Sequence, residues 1–234
     1  MKLAVLQPAY FPNLQSLAQI ALADVVVWGD SFLYKKHDTI NRTRIKTVAG
    51  PLWLTVPVLS KGKRQQVVSH VKMDSNQDWR QAHVNSLRVN YQNSPYYFFM
   101  ADEMNDLLQR EWESFNELLF QSILFLCKKM RLTCEFVKSI DLPVVKDRSD
   151  RVLEWVKACG CDSYLVKTED EKWIDRSLIE KNSCPVFSMK FTHPKYHQLF
   201  GGFIKNMSGL DLLFNEGEKS RSILLKSVQI CEEK

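Results

Sequence analysis

The chain has 234 residues, with 32 Lys and Arg against 27 Asp and Glu, which gives a formal net charge of +5. With 45% hydrophobic and 25% charged residues, the composition excludes a chain that is disordered, collagen-like or coiled-coil throughout. No apolar run approaches the roughly 18–20 residues that span a bilayer. The apolar stretch after Met1 is too short for a signal peptide. We therefore expect a soluble, intracellular protein.

The first 28 residues predict a strand, a loop, a helix and a second strand. Residues 2–6 are a short apolar run, residues 14–23 place apolar side chains at helical spacing, and residues 25–28 are continuously apolar. A strand that is apolar at every position is typical of a parallel sheet covered on both faces. Because ligands bind beyond the carboxyl ends of such strands, we expect Gln7 and Asp30 to lie on one rim that forms a site.

The rest of the chain continues to mix strands with helices. Further strands are predicted at residues 53–58, 67–71, 133–139, 163–167 and 185–191. A helix is predicted from a cap at Ser75 or Asn76 to Tyr91, and another from a cap at Ser149 to Cys159. A long helical stretch over 102–131 is predicted to break at the capping box of Ser114 and Glu117. Shorter helices are predicted over 173–180 and over 208–214. We predict a single α/β domain over residues 1–234, with a mostly parallel sheet flanked by helices and a helical subregion at 75–131.

Cysteine content and charge exclude some partners. The six cysteines are scattered and form no Cys-x-x-Cys pair, which favours reduced structural thiols and gives no metal signature. The identity of any cofactor stays open. The densest basic cluster, made of Lys61, Lys63 and Arg64, is typical of a solvated loop, and no nucleic-acid motif accompanies it. We therefore expect no DNA or RNA partner and no membrane insertion.

Charged and amide side chains that could bind a ligand are concentrated between residues 30 and 44. Asp30 follows an apolar strand, Asn41 adds an amide, and the positive donors are Lys35, Lys36, His37, Arg42 and Arg44. The planar guanidinium of arginine suits phosphate or carboxylate, so paired arginines could hold a nucleotide diphosphate. The alternative is a solvated loop with surface charge pairs.

Two histidine environments are candidates for proton transfer. His83 lies on an apolar helical stripe four residues after Trp79, where a histidine is either a hydrogen-bonded core residue or a general base. The segment from His193 to Gln198 offers two imidazoles, the Tyr196 phenol and an amide after a predicted strand. A general-base or hydrogen-bonding role suits His193 better than metal ligation, because no acidic third ligand is nearby in sequence.

Several short motifs occur in a fixed order along the chain. They are Leu-Gln-Pro-Ala-Tyr-Phe-Pro at 6–12, Ala-Asp-Val-Val-Val-Trp at 23–28, Asn-Arg-Thr-Arg-Ile at 41–45, Trp-Leu-Thr-Val-Pro-Val at 53–58, His-Pro-Lys-Tyr-His-Gln at 193–198 and Ser-Gly-Leu-Asp-Leu-Leu-Phe-Asn-Glu-Gly at 208–217. In these motifs the chain resembles the WbqC-like proteins of bacterial surface-polysaccharide gene clusters. The resemblance implies a bacterial cytoplasmic protein of O-antigen or related surface-glycan assembly.

With this resemblance, a set of residues is expected to form the site. The catalytic residues would be His193, His83 and Asp30, and the substrate-binding residues Gln7, Tyr10, Asn41, Arg42, Arg44, Tyr96, Tyr196 and Gln198. The implied activity is transfer of an acyl or aminoacyl group from an unknown donor to a nucleotide-linked amino sugar. In that reaction the arginines hold the diphosphate, Tyr10 or Tyr96 stacks on base or sugar, and one histidine deprotonates the attacking amine.

Two other functions stay open. The strand-loop-helix start is compatible with a nucleotidyltransferase or ligase, although such enzymes normally carry two histidines at the head of the first helix. No histidine occurs there in this chain. The other alternative is a non-catalytic sugar-binding or scaffold subunit, which would bind its ligand tightly and form no product.

Overall fold

Strands and helices follow one another along the whole chain. The computed structural model describes residues 1–36, 38–59, 62 and 65–231. His37 and the basic cluster of Lys61, Lys63 and Arg64 lie outside the described residues. The elements are β1 (Lys2–Leu6), α1 (Leu14–Leu22), β2 (Val25–Trp28), β3 (Arg42–Thr47), β4 (Gly50–Thr55), α2 (Trp79–Tyr91), α3 (Phe98–Gln109), α4 (Phe115–Met130), β5 (Glu135–Lys138), α5 (Arg148–Ala158), β6 (Ser163–Lys167), α6 (Arg176–Lys181), β7 (Val186–Phe191), α7 (Gly209–Glu216), α8 (Ser220–Lys226) and β8 (Val228–Cys231).

A six-stranded sheet organises these elements. Its strand order is β5-β2-β1-β6-β7-β8, and neighbouring strands run parallel except for the antiparallel pair of β7 and β8. Strands β3 and β4 form a separate antiparallel hairpin. Parallel neighbours need a crossover connection, and α1 supplies it between β1 and β2. The predicted α/β fold with a mostly parallel sheet is confirmed.

Both faces of the sheet are covered, as the apolar strands predict. All four residues of β2 are buried. Alternate residues of β1 enter different cores, because successive side chains of a strand point to opposite faces. Leu3 packs in a core with side chains of α5 and α6, whereas Ala4 and Leu6 pack in the core that contains side chains of α1, α4 and α7.

The helical middle of the chain follows the sequence pattern closely. Helix α2 ends at Tyr91, before the Ser94-Pro95 pair. The predicted break between two longer helices is confirmed, because the Ser114 hydroxyl accepts a hydrogen bond from the Glu117 backbone N–H at 3.0 Å and α4 starts at Phe115. Within the part of the chain that the structure describes, no helix is long and apolar enough to cross a membrane.

The predicted cap and strand before α2 are wrong. A 3₁₀ helix, Val68–His70, occupies the place of the strand predicted at 67–71. Asn76 does not cap α2, because its backbone N–H and side-chain amide both bond to Asp74 in a local turn. The helix therefore begins only at Trp79.

Strand β3 was not predicted, α3 begins at Phe98 rather than at residue 102, and other boundaries also differ from the prediction. Strand β4 spans Gly50–Thr55 rather than 53–58, since it pairs with β3 across a tight turn and Pro57 lies beyond it. Asp147, not Ser149, caps α5, because its carboxylate accepts from two backbone N–H groups. The helix predicted at 173–180 is divided, because Asp175 caps a new helix, α6, after a 3₁₀ turn.

Candidate functional site

The carboxyl ends of β1 and β2 lie side by side. Leu6 is in register with Trp28 in this parallel pair, so Gln7 and Asp30 follow at the same edge of the sheet. The Gly29 backbone N–H donates to the Leu6 carbonyl at 2.9 Å and extends the pairing beyond the strands. The sequence predicted this shared edge.

The Asp30 side chain points into the protein interior. Its side chain is buried and accepts hydrogen bonds from the Ser139 hydroxyl at 2.9 Å, the Ile140 backbone N–H at 3.1 Å and the Asn116 amide at 3.4 Å. Asn116 in turn accepts from the Trp28 indole at 2.9 Å. The carboxylate therefore joins the end of β2 to the turn after β5 and to α4. Asp30 does not line the cavity described next.

A cavity of about 320 Å³ opens beyond the end of β1. We call it the rim cavity. It lies between the loop after β1, the first turn of α1, the β3–β4 hairpin and the segment before α7. Its lining is made of residues 9–13, Gln15, Ser16, Thr39, 42–44, Trp53 and 206–208. Three predicted site residues, Tyr10, Arg42 and Arg44, are among them.

Two arginines give the rim cavity positive charge, and a tryptophan packs against both of them. Arg42 and Arg44 alternate along β3, and the guanidinium carbons lie 4.3 and 5.6 Å from the ring centroid of Trp53 on β4. The Arg42 Nε–H also donates to the Asp38 carbonyl at 3.1 Å. The described lining residues include no carboxylate. The cavity is therefore suited to an anion.

The N-terminus of α1 adds to this positive character. Asn13 caps the helix by accepting a hydrogen bond from the Ser16 backbone N–H at 3.1 Å. Gln15 and Ser16, in the first turn, line the cavity. The first turn of a helix carries partial positive charge and favours anions.

Phe11 holds the loop and the hairpin together. Its backbone φ is 39°, in the left-handed region that a bulky residue rarely adopts. The Thr43 hydroxyl and the Ser208 hydroxyl both donate to the Phe11 carbonyl, at 2.8 and 3.0 Å, and its own N–H donates to the Ser122 hydroxyl at 3.1 Å. The strained conformation is thus fixed by hydrogen bonds at a wall of the cavity.

Tyr10 connects the rim cavity to His83. The Tyr10 hydroxyl and His83 Nδ1 lie 3.0 Å apart in the buried interior, and the Trp79 ring packs edge-on against the imidazole. Burial lowers the pKa of His83 to about 4, although a hydrogen bond to the Thr55 backbone acts in the opposite direction. His83 is therefore neutral at neutral pH, and Nδ1 can accept a hydrogen bond from the Tyr10 hydroxyl.

His193 supports the segment before α7, which forms part of the cavity wall. Its Nδ1–H donates to the Pro194 carbonyl at 2.9 Å, and its Nε2 accepts the Asn206 backbone N–H at 3.0 Å. Asn206 lines the rim cavity. Partial burial lowers the pKa of His193, which keeps Nε2 available as an acceptor. In this structure both ring nitrogens fix the segment that forms the wall.

Tyr196 and Gln198 converge on a buried carboxylate that sequence reasoning did not single out. Asp211, on α7, accepts from the Tyr196 hydroxyl at 2.6 Å, the Gln198 amide at 2.6 Å and the Tyr91 hydroxyl at 2.8 Å. The Tyr91 oxygen accepts the Lys46 backbone N–H at 3.0 Å. Burial raises the pKa of Asp211, against the effect of these hydrogen bonds. This network attaches the segment after β7 to the hairpin.

Five predicted binding residues do not line the cavity: Tyr196 and Gln198, described above, and Gln7, Asn41 and Tyr96. The Gln7 amide lies 3.5 Å from the Asp38 carboxylate. The Asn41 amide donates to the Val56 carbonyl at 2.8 Å, and the Tyr96 N–H donates to the Phe214 carbonyl at 3.0 Å. Asn41 and Tyr96 therefore serve the packing of neighbouring elements. Among the residues that the structure describes, no group of three or more potential ligands is arranged to hold a metal ion.

Comparison with known proteins identifies the family. The family model described as the WbqC-like protein family matches residues 7–223. The chain is 28% identical over 225 residues to the "Uncharacterized protein Rv1507c" of Mycobacterium tuberculosis (strain ATCC 25618 / H37Rv), an alignment that covers 95% of this chain and 97% of the relative. No solved structure shows significant similarity to the chain.

Proposed function

We propose that this chain, which belongs to the WbqC-like protein family, is an enzyme of bacterial surface-glycan assembly. It binds a nucleotide-linked amino sugar in the rim cavity and transfers an acyl or aminoacyl group to the sugar amine. The surface-glycan context rests on the resemblance of the motifs. The ligand class rests on one observation, the pair of arginines stacked with Trp53 beside the first turn of α1.

The charge of the cavity supports a diphosphate. Arginine binds phosphate oxygens through paired N–H donors, and a pyrophosphate offers enough oxygens for Arg42 and Arg44 together. The half-exposed Trp53 ring supplies a flat apolar surface for a base or a sugar. The described lining brings no carboxylate of its own against these arginines.

The transfer step needs a route for one proton. The amine nitrogen attacks the carbonyl carbon of an activated acyl donor, an ester or thioester. An N–C bond forms, the bond from that carbon to the leaving oxygen or sulfur breaks, and the electron pair leaves with the departing group. The amine proton passes to the Tyr10 oxygen while the Tyr10 proton moves to His83 Nδ1, and the imidazolium later protonates the leaving group by the reverse route. His193 is the alternative base, after it exchanges its bond to Asn206 for one to the amine.

Ligand titration tests the binding proposal. UDP-glucose, dTDP-glucose and GDP-mannose are titrated into the wild-type chain by calorimetry. Arg44→Gln should weaken the binding of whichever nucleotide sugar binds by about tenfold or more, since it removes a charge-assisted contact to phosphate. Arg221→Gln, an exposed arginine on α8, is the matched control. Absence of binding by all three compounds, or equal affinity in Arg44→Gln, would contradict the proposal.

Product analysis tests the chemistry. Mass spectrometry should detect the acyl mass on a nucleotide-linked amino sugar after incubation with an acyl thioester. His83→Gln should lose turnover and retain binding if the Tyr10 route operates, and His193→Ala should do so if His193 is the base. Tight binding without any product would favour the second candidate, a sugar-binding subunit, which the engagement of both His193 ring nitrogens supports.

A further inference from the structure

The order of the strands places the segment after β6 beside the loop after β1, at the same end of the sheet as the rim cavity. Strand β1 lies between β2 and β6, and the chain first builds the sheet outward to β2 and β5 before it returns to β6 on the other side of β1. In open parallel sheets this reversal of direction opens a crevice at the carboxyl ends of the two central strands. The residues that follow β6 are therefore expected to border the same ligand as the loop after β1.

Glu169 occupies that position. It lies in the 3₁₀ helix Thr168–Trp173, directly after β6, and its carboxylate accepts a hydrogen bond from the Gln15 side-chain amide. Gln15 lines the rim cavity from the first turn of α1. The Thr168 hydroxyl donates to the Met189 carbonyl at 3.2 Å and fixes the start of the turn on β7. One hydrogen bond thus connects the Glu169 carboxylate to a wall of the cavity.

Two acids on the β2 side of this edge, Asp30 and Asp38, already have several donors. Asp30 is buried and accepts three hydrogen bonds from Ser139, Ile140 and Asn116. The Asp38 carboxylate accepts from the Thr39 backbone N–H at 2.6 Å, its hydroxyl at 3.3 Å and the Gln7 amide at 3.5 Å.

Glu169 differs from both of these acids. It is exposed, and no described basic residue forms an ion pair with it. Within the described part of the chain it accepts one hydrogen bond, from the neutral Gln15 amide, which leaves lone pairs of the carboxylate open to a ligand.

We propose that Glu169 binds the ammonium group of the sugar before the reaction and selects an amino sugar over its hydroxyl counterpart; the ammonium releases one proton to solvent before the amine attacks. This inference rests on the proposed function of the rim cavity. A nucleotide-linked amino sugar carries negative charge at the diphosphate and positive charge at the amine, and the arginines match only the first. The Glu169 carboxylate, bonded to Gln15 in the cavity wall, supplies the complementary charge, and its hydrogen bond to an ammonium is stronger than one to a neutral hydroxyl. Gln15 is a positioning residue that directs the carboxylate toward the cavity.

A comparison of two ligands isolates this contact. UDP-glucosamine and UDP-glucose differ at the amine alone, and calorimetry at low ionic strength gives the ratio of their dissociation constants. Wild type should bind UDP-glucosamine about five- to tenfold more tightly, the effect of one partly solvated charge-assisted hydrogen bond. Glu169→Gln should remove this preference and leave the affinity for UDP-glucose within about twofold. Asp170→Asn, which neutralises the adjacent exposed acid, is the matched control and should keep the preference.

Three further results decide the matter. Gln15→Leu should reduce the preference partially, because the carboxylate remains but loses its fixed direction. A Glu169→Gln variant that still prefers UDP-glucosamine overturns the inference and leaves the binding proposal intact. A wild-type chain that binds neither UDP compound also overturns the inference, whereas the proposed function is refuted only if dTDP-glucose and GDP-mannose fail as well. Thermal unfolding confirms that each variant is folded.

Discussion

The burial of His83 makes the stability of the fold depend on pH. Burial lowers the pKa of His83 to about 4 from its ordinary value of 6.5. Above pH 6.5 the imidazole is neutral in the folded and the unfolded chain. As the pH falls toward 4, the unfolded chain takes up a proton that the folded protein does not, so the free energy of unfolding decreases. The two pKa values differ by about 2.5, which corresponds to roughly 3 kcal/mol of lost stability at 1.36 kcal/mol for each pH unit.

Urea unfolding followed by tryptophan fluorescence at pH 7.5, 5.5 and 4.0 measures this contribution. His83→Gln removes the titrating group but retains an acceptor for the Tyr10 hydroxyl, so its stability should fall by roughly 3 kcal/mol less than that of wild type over the same range. His197→Gln, at an exposed position, controls for the loss of one histidine and should follow wild type. Equal pH dependence in His83→Gln and wild type would refute the link between burial and proton uptake.

Two further predictions concern buried contacts. Asp211→Ala removes the acceptor of three buried donors and should lower the free energy of unfolding by roughly 3–5 kcal/mol, whereas Asp102→Ala on the exposed face of α3 should change it by about 0.5 kcal/mol or less. Similar urea midpoints for Asp211→Ala and Asp102→Ala would contradict the prediction for Asp211. Gly217→Ala places a methyl group 2.4 Å from a Tyr96 ring carbon at φ +53° and should cost more stability than Gly160→Ala, where φ is +63° and no atom lies within 4 Å. Equal losses in urea unfolding would show that the left-handed backbone alone, and not the Tyr96 contact, sets the cost.

Local patterns predicted the elements whose structure depends on neighbouring residues. The continuous apolar run of β2 identified a strand buried on both faces, and Ser114 with Glu117 located the break before α4. The cap before α2 was predicted wrongly because a nearby polar side chain accepts hydrogen bonds in a local turn instead. Asn76 is a suitable helix cap by residue type, but its backbone N–H and side-chain amide both donate to Asp74. This local turn cannot be distinguished from a helix cap by residue type alone.

The structure brings some of the predicted site residues to the rim cavity and not others, because residue type indicates chemistry but not the direction of a side chain. Arg42 and Arg44 line the cavity from β3, a strand that the sequence pattern did not predict, and alternation along this strand places both on one face. Asp30 follows its strand at the predicted edge, yet partners distant in sequence draw its side chain inward. Asp211 was overlooked although it lies within a quoted motif, because its neighbours in α7 are apolar and no sequence signal identifies its donors Tyr91 and Tyr196.

The rim cavity is assembled from segments that are distant in the chain, and its geometry depends on residues that do not face the ligand. Thr43 and Ser208 donate to the same Phe11 carbonyl, which ties the hairpin and the segment before α7 to the loop after β1. The Ser208 N–H also donates to the Arg44 carbonyl at 2.8 Å, so the backbone that carries one arginine is fixed to the same unit. Several motifs of the family resemblance therefore meet in one hydrogen-bonded structure. A substitution within this unit will displace the arginines without touching the ligand, so loss of binding alone does not identify a ligand-contacting residue.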